Sequence, residues 1–243
     1  MKINRINPES SIDYPGKFGP VFFTSGCNFN CGFCYNLKDE SLMNREEVER
    51  FMKNLEAKAR QKWYTGVTIC GGEPTLQPGL IGFIRRLKDM GLAVKLDTNG
   101  SSAGILQELH KEKLVDYVAM DIKGPRHLYR QIIGLEHFDE RDDLYKGMCV
   151  VRRFPGHEYR TTDTPIIENG KLRWLTSDEM EDMAKYIADY TQDNSHTHFL
   201  QKYIPVQGRI NDSRLEEIGE TPDEILEQHI QAIRKWLPNA KIR

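Results

Sequence analysis

The chain has 243 residues, of which 39% are hydrophobic and 29% charged, with a formal net charge of -2. That is enough length and apolar content for one large α/β domain with a substantial core, and it excludes the disordered and fibrous classes. The near-zero charge argues against a broad basic face for nucleic acid, and no stretch approaches the ~18 apolar residues of a membrane span.

The amino-terminal run MKINRINPESSIDYPGK is polar and lacks the apolar segment of a secretory signal. A cytoplasmic protein with neither nucleic-acid nor membrane partners is therefore expected. Residues 1–16 read as an extension, and KFGPVFFTS (17–25) reads as the first strand, delivering the loop GCNFNCGFC (26–34) at its carboxyl end. A helix follows. Asn44 with Glu47 forms a capping-box pattern, and Val48, Phe51, Met52, Leu55 and Ala59 recur on one helical face.

The second strand, GVTIC (66–70), runs into Gly71, Gly72, Glu73, Pro74 and Thr75. A helix through Leu80, Ile84 and Leu87 ends at Gly91, and LAVKLD (92–97) then brings Asp97, Thr98, Asn99 and Gly100 to its end. A helix with Leu106 and Leu109 leads to VDYVAMDI (115–122), which delivers Asp121 and Lys123. Helical pieces are expected over 128–133 and 142–148, and HEYRTT (157–162) is a fifth strand. PIIENGKLRW reads as a loop too short to link two domains. Thr176 and Glu179 open an amphipathic helix, THFLQKYI (197–204) is a sixth strand, and Thr221, Pro222 and Glu224 open a final helix through Leu237. The tail AKIR is a candidate edge strand.

Strand and helix alternate about six times, which predicts parallel strands with helices outside. The polar residues gather at strand carboxyl ends, where active sites of such folds lie. One domain over 1–243 is expected, with a βα core over 17–204 and a carboxyl-terminal helix and tail over 205–243.

Cys27, Cys31 and Cys34 fall within eight residues. Thiolates this close suit an iron-sulfur cluster or zinc. Structural zinc almost always has four protein ligands, and no CxxC or HxxxH pair appears downstream to supply the fourth. A disulfide framework belongs to small secreted chains, whereas a cubane of four irons tolerates three ligands. The two remaining cysteines, Cys70 and Cys149, stand alone in apolar surroundings and read as core thiols.

The spacing Cys-x3-Cys-x2-Cys, with Phe33 before the third cysteine, resembles the radical S-adenosylmethionine (SAM) superfamily. The resemblance implies a partial (βα)6 parallel barrel of radical SAM type holding a 4Fe-4S cluster. The amino and carboxylate groups of SAM would bind its open iron, and one electron would cleave the sulfonium C-S bond to give a 5'-deoxyadenosyl radical. GGEPT (71–75) resembles the second motif of the superfamily, so Gly71, Gly72 and Glu73 are expected at the methionyl amino group; Glu73 as a plain helix cap is the alternative.

DTNG (97–100) and MDIK (120–123) narrow the resemblance to the activating enzymes of glycyl-radical enzymes. There Thr98, Asn99 and Lys123 would line the SAM pocket with Phe33, and Asp97 and Asp121 would share a monovalent cation or act only as caps. SIDYPGK (11–17) and LVDYVAMDIKGP (114–125) resemble the activating proteins of anaerobic ribonucleoside-triphosphate reductase. That places Asp13 as a substrate contact and implies a glycyl-radical enzyme as partner, with flavodoxin or ferredoxin as reductant. The residues after Cys34 depart from the activase pattern, since Tyr35, Asn36 and Leu37 stand where His-Asn-Pro is common. Arg160, Gln201 and Tyr203 are cavity candidates or structural strand residues, and His196 and His198 are ordinary histidines or contacts to adenine or substrate. The competing readings are a radical SAM enzyme for a small molecule, similar to 7-carboxy-7-deazaguanine synthase, and a non-catalytic metal-binding or electron-transfer module.

Overall fold

The computed structural model describes residues 1–36, 41–139 and 144–243 and is organised on an eight-stranded sheet. Strand β1 (Ile3–Ser10) lies antiparallel on β2 (Gly19–Thr24). From β2 the sheet continues parallel through β3 (Gly66–Gly71), β4 (Ala93–Thr98), β5 (Tyr117–Asp121) and β6 (Gly156–Asp163). A hairpin of β7 (Ile166–Glu168) and β8 (Lys171–Arg173) then leaves the sheet. The sheet resumes, still parallel, with β9 (His198–Lys202) and ends at β10 (Lys241–Ile242).

The helices are α1 (Arg45–Arg60), α2 (Leu80–Asp89), α3 (Ala103–Lys111), α4 (Tyr129–Ile133), α5 (Tyr145–Val151), α6 (Ser177–Thr191) and α7 (Asp223–Arg234). Both predicted capping boxes form. In α1 the Glu47 N–H donates to Asn44 Oδ1 and the Asn44 N–H to Glu47 Oε2, each at 2.9 Å, and Thr176 with Glu179 does the same for α6. The apolar stripes of these helices pack on the sheet in one continuous core that includes Met52, Leu55, Ile84, Leu87, Met183 and Ile230.

β1 and β10 occupy opposite edges of the sheet, yet the Arg243 guanidinium, just past β10, donates to the carbonyl of Ile12, just past β1, at 3.0 Å. The sheet therefore curls until its edges approach, giving a partial barrel.

Two elements differ from expectation. Within the extension of residues 1–16, residues 3–10 form a strand that was not expected: an edge strand is held by backbone pairing to β2 and needs few apolar side chains, here chiefly Ile3. The supposed loop at 165–174 is the β7–β8 hairpin, turned by Asn169 (φ 50°) and Gly170 (φ 76°). Asn-Gly is the residue pair such a two-residue turn favours. Of the helical piece expected at 142–148, Asp142 and Asp143 lie outside the described residues, as does Leu37, and the helix is described from Tyr145. Among the described residues no helix is long and apolar enough to cross a membrane.

Candidate active site

A cavity of about 770 Å³ opens at the carboxyl ends of the parallel strands. Cys27, Cys31 and Cys34, from the loop after β2, all line it, and all three thiols are free. The Phe29 N–H donates to Cys27 Sγ at 3.3 Å, and Asn99 Nδ2 approaches the same sulfur at 3.8 Å while donating to Asn28 Oδ1 at 2.9 Å. Burial pushes the Cys31 thiol up to about 12 and raises Cys27 as well. Phe33, before the third cysteine, lines the cavity and has the Lys123 ammonium 5.7 Å from its ring centre.

The glycines after β3 are there because backbone must meet backbone. A Cβ on Gly72 would lie 2.0 Å from the Gly26 carbonyl oxygen, and one on Gly71 would lie 2.3 Å from Thr24 N. Without side chains, the Gly72 N–H donates to Thr24 O and the Glu73 N–H to Gly26 O, both at 2.8 Å. These bonds fasten the second motif to the start of the cysteine loop.

The Glu73 carboxylate points inward. Thr75 N–H (3.0 Å), Thr75 Oγ1 (2.5 Å) and Thr98 Oγ1 (2.8 Å) donate to its Oε1, and Asn99 N–H (2.7 Å) donates to its Oε2. Burial pushes this carboxyl up and the donors pull it back. Glu73 does cap the following turn at residues 74–76, but it also ties the ends of β3 and β4 together. It is not among the cavity-lining residues, whereas Gly71, Gly72, Thr98, Asn99 and Lys123 are.

Below these loops the barrel interior is charged. Arg160 of β6 donates from Nε to Asp121 Oδ1 at 2.8 Å and from Nη1 to Asp97 Oδ2 at 2.9 Å. Lys123 Nζ donates to Asp121 Oδ2 at 3.1 Å, and Lys95 is paired with Asp97. Burial alone would raise the Asp121 carboxyl, but the Arg160 guanidinium and Lys123 outweigh it and hold it at about 2. Asp97 is lowered for the same reason, with Arg160 and Lys95 as its cations, and Asp121 holds Lys123 above the usual lysine range against burial. The two carboxylates expected to share a monovalent cation share the Arg160 guanidinium here. A guanidinium already bridges the two carboxylates and two ammonium groups flank them, so a further cation would meet net positive charge.

The remaining candidates divide. Asp13 lines the cavity and accepts from Ser10 Oγ at 2.5 Å, and Gln201 and Tyr203 line it too, though the Tyr203 hydroxyl donates away to Leu215 O at 3.1 Å. Cys70 also lines the cavity, while Cys149 does not. His196 and His198 are not on the cavity wall. His196 pairs with His157 at 2.9 Å, and burial pushes fully enclosed His198 down to about 4.

Three features had little or no sequence signal. Arg160 bridges two acids that lie 63 and 39 residues away. Asn211 and Asp212 donate their backbone N–H groups to Cys34 O (3.0 Å) and Gly32 O (2.8 Å), and Asn211 Nδ2 donates to Asn30 Oδ1 at 2.8 Å. The segment after β9 is thus strapped over the cysteine loop. Asp163, at the end of β6, is fully buried with His229 Nδ1 at 2.8 Å from its Oδ2, which links the sheet to α7.

A partial parallel barrel with three thiols and paired charges facing one cavity at the strand carboxyl ends is the architecture of a barrel enzyme. The sequence profile of the Radical SAM superfamily matches residues 21–149, and the chain belongs to that superfamily. Membership implies a 4Fe-4S cluster and SAM as cofactors.

A protein of Methanocaldococcus jannaschii, described as a candidate glycyl-radical enzyme activating enzyme, is 30% identical over 242 residues, covering 96% of this chain and 92% of its own length. A candidate GTP 3',8-cyclase of Pyrococcus horikoshii is 32% identical over 132 residues, and the match covers 53% of this chain but only 40% of that protein. Among solved structures, Streptococcus suis SuiB bound to S-adenosylmethionine superposes with a TM-score of 0.59 at 15% identity, over 92% of this chain and 49% of SuiB. This chain thus spans about half the length of SuiB, and the likeness is one of fold.

Proposed function

We propose that this protein is an activating enzyme that uses SAM to place a glycyl radical on a partner enzyme, with anaerobic ribonucleoside-triphosphate reductase as that partner and flavodoxin or ferredoxin as the electron donor. The observation that supports the activase part of this reading is likeness along nearly the whole chain to a relative described as a candidate glycyl-radical enzyme activating enzyme, at 30% identity over 96% of it. The likeness to GTP 3',8-cyclases is either partial, 32% over 53% of the chain, or weaker, 25% over 78% of it.

Cys27, Cys31 and Cys34 are the proposed ligands of the cluster. The residues present fit such a group, because three free thiols face one cavity and Cys27 Sγ already accepts an N–H. When bound, the cluster would supply one electron for the reductive cleavage of SAM, with methionine as leaving group, and so the hydrogen-atom abstraction from a glycine Cα that ends as 5'-deoxyadenosine.

The chain's own groups bind and orient. Gly71 and Gly72 keep backbone open to the SAM amino group, while Glu73 acts from behind by fixing the Thr98–Asn99 turn. Asn99 pins the cysteine loop through Asn28, and Lys123, paired with Asp121 and beside the Phe33 ring, is the cation that the SAM carboxylate would share with Asp121. Asp13, at the cavity edge, is assigned to contact with the partner's glycine loop. The largely buried setting of Asp97, Asp121, Lys123 and Arg160 strengthens the interactions among them.

The test is anaerobic. The reconstituted protein with dithionite and SAM should release 5'-deoxyadenosine, and a glycyl-radical EPR doublet should appear only with the reductase present and all three cysteines intact. SAM cleavage with no doublet on any glycyl-radical enzyme overturns the activase reading.

A further inference from the structure

The cavity wall built by β6 and β9 differs from the rest of the site in what its side chains leave unpaired. Every lysine or arginine among the described lining residues already faces a carboxylate. Lys123 and Arg160 face Asp121 and Asp97, Lys202 faces Glu220 (3.0 Å) and Asp223 (2.8 Å), and Arg243 faces Glu158 (3.3 Å). A polyanion entering the cavity would have to displace one of these pairs.

Thr162 and Gln201 are different. They are register partners in the parallel β6–β9 pairing, so their side chains stand one strand spacing apart on the same face. Both are half-buried and both line the cavity that holds the three cysteines. Neither the Thr162 hydroxyl nor the Gln201 carboxamide has a hydrogen-bond partner among the described residues. The cavity lining also includes Ile204, which is 60% exposed, Val206, and Tyr35 at 47% exposure.

A carboxamide offers a donor and an acceptor together, and a hydroxyl offers either. That pattern complements the N–H and C=O of one residue in an extended chain, which point to the same side, whereas phosphate oxygens call for donors alone, preferably cationic ones. We infer that Gln201 and Thr162 form an amide-reading subsite that takes the backbone N–H and C=O of one residue in an extended, uncharged polypeptide segment in preference to a nucleotide. The inference rests on the activase reading and gives it a substrate class.

The probe is the capped tripeptide acetyl-Ala-Gly-Ala-amide, titrated against the full chain with its cluster reconstituted and SAM present, and followed by ligand-observed NMR with GTP as competitor. Wild type should bind the tripeptide, and GTP should not displace it. Gln201→Leu should weaken binding roughly tenfold, the equivalent of about 1.4 kcal/mol, and Thr162→Val several-fold. Gln201→Glu, which keeps the size and an acceptor but removes the donor, should fall between wild type and Gln201→Leu. Circular dichroism melting confirms that each variant is folded.

No tripeptide binding by wild type, unchanged affinity in Gln201→Leu and Gln201→Glu, or displacement by GTP overturns the subsite. If Gln201→Leu still forms the glycyl doublet on the reductase at the wild-type rate, the subsite falls and the activase reading stands. If wild type cleaves SAM but forms no doublet, while tripeptide binding still depends on Gln201, the activase reading falls and the subsite stands.

Discussion

The strands from β2 to β5 and those from β6 to β10 contribute to the same cavity in different ways. The earlier strands present short contiguous motifs at their ends, and those motifs hold one another: Gly72 and Glu73 bond to the cysteine loop, and Glu73 bonds to the turn after β4. The later strands present single side chains that reach back across the barrel. Arg160 grips Asp97 and Asp121, and Asn211 grips the cysteine loop. The candidate cofactor ligands are thus concentrated in one region, while the means of fixing the interior charges and covering the cysteine loop come from the other.

The strongest way to break this division is at Arg160. Its replacement by methionine leaves two largely buried carboxylates without their shared guanidinium, and stability in urea should fall by about 3–5 kcal/mol. Adding Asp97→Asn and Asp121→Asn should restore a large part of the loss. A single-variant change of less than about 1 kcal/mol would mean that the two regions are not joined there.

A smaller effect is set by acid. The Asp121 carboxyl is held at about 2, below its ordinary value, so its contribution to stability is complete above roughly pH 4 and is lost as pH falls toward 2. About 2–3 kcal/mol should disappear over that window, and the corresponding slope should be missing from Asp121→Asn.

The smallest effect is at the strap. Asn211→Ala removes the side-chain bond to Asn30 and keeps the backbone bonds to Cys34 and Gly32, so the cost should be about 1 kcal/mol. It should appear as faster amide exchange confined to residues 28–34 and 208–216. Uniformly faster exchange would show that the strap is part of the global fold rather than a cover on the loop.

The same division explains how much could be read beforehand. The six parallel strands, both capping boxes, the cysteine loop and the glycine and Asp-Thr-Asn-Gly ends were legible because each is a local pattern of spacing and residue type. The strand at residues 3–10 was not, since its stability comes from pairing with β2. The β7–β8 hairpin did carry a signal in Asn169 and Gly170, but strands of three residues are too short to show alternation. Asp97 and Asp121 are recognisable as a pair, but the guanidinium they share is not. Nothing near Arg160 in the sequence reveals that its head group lies between them. Glu73 was recognisable as chemically special, but whether its carboxylate faced the cavity or the interior depended on hydrogen bonds to Thr98 and Asn99, 25 and 26 residues away.

The strap also sets an order of events. Its bonds join positions about 180 residues apart, the side chain of Asn211 meeting Asn30 and Cys31. Each doubling of such a separation adds only about 0.6 kcal/mol of closure entropy, so the distance is thermodynamically tolerable. In time it matters more, because contacts this remote form late. On the ribosome the cysteine loop emerges long before the segment that covers it. The nascent chain therefore passes through an interval in which the three thiols are already made but still uncovered.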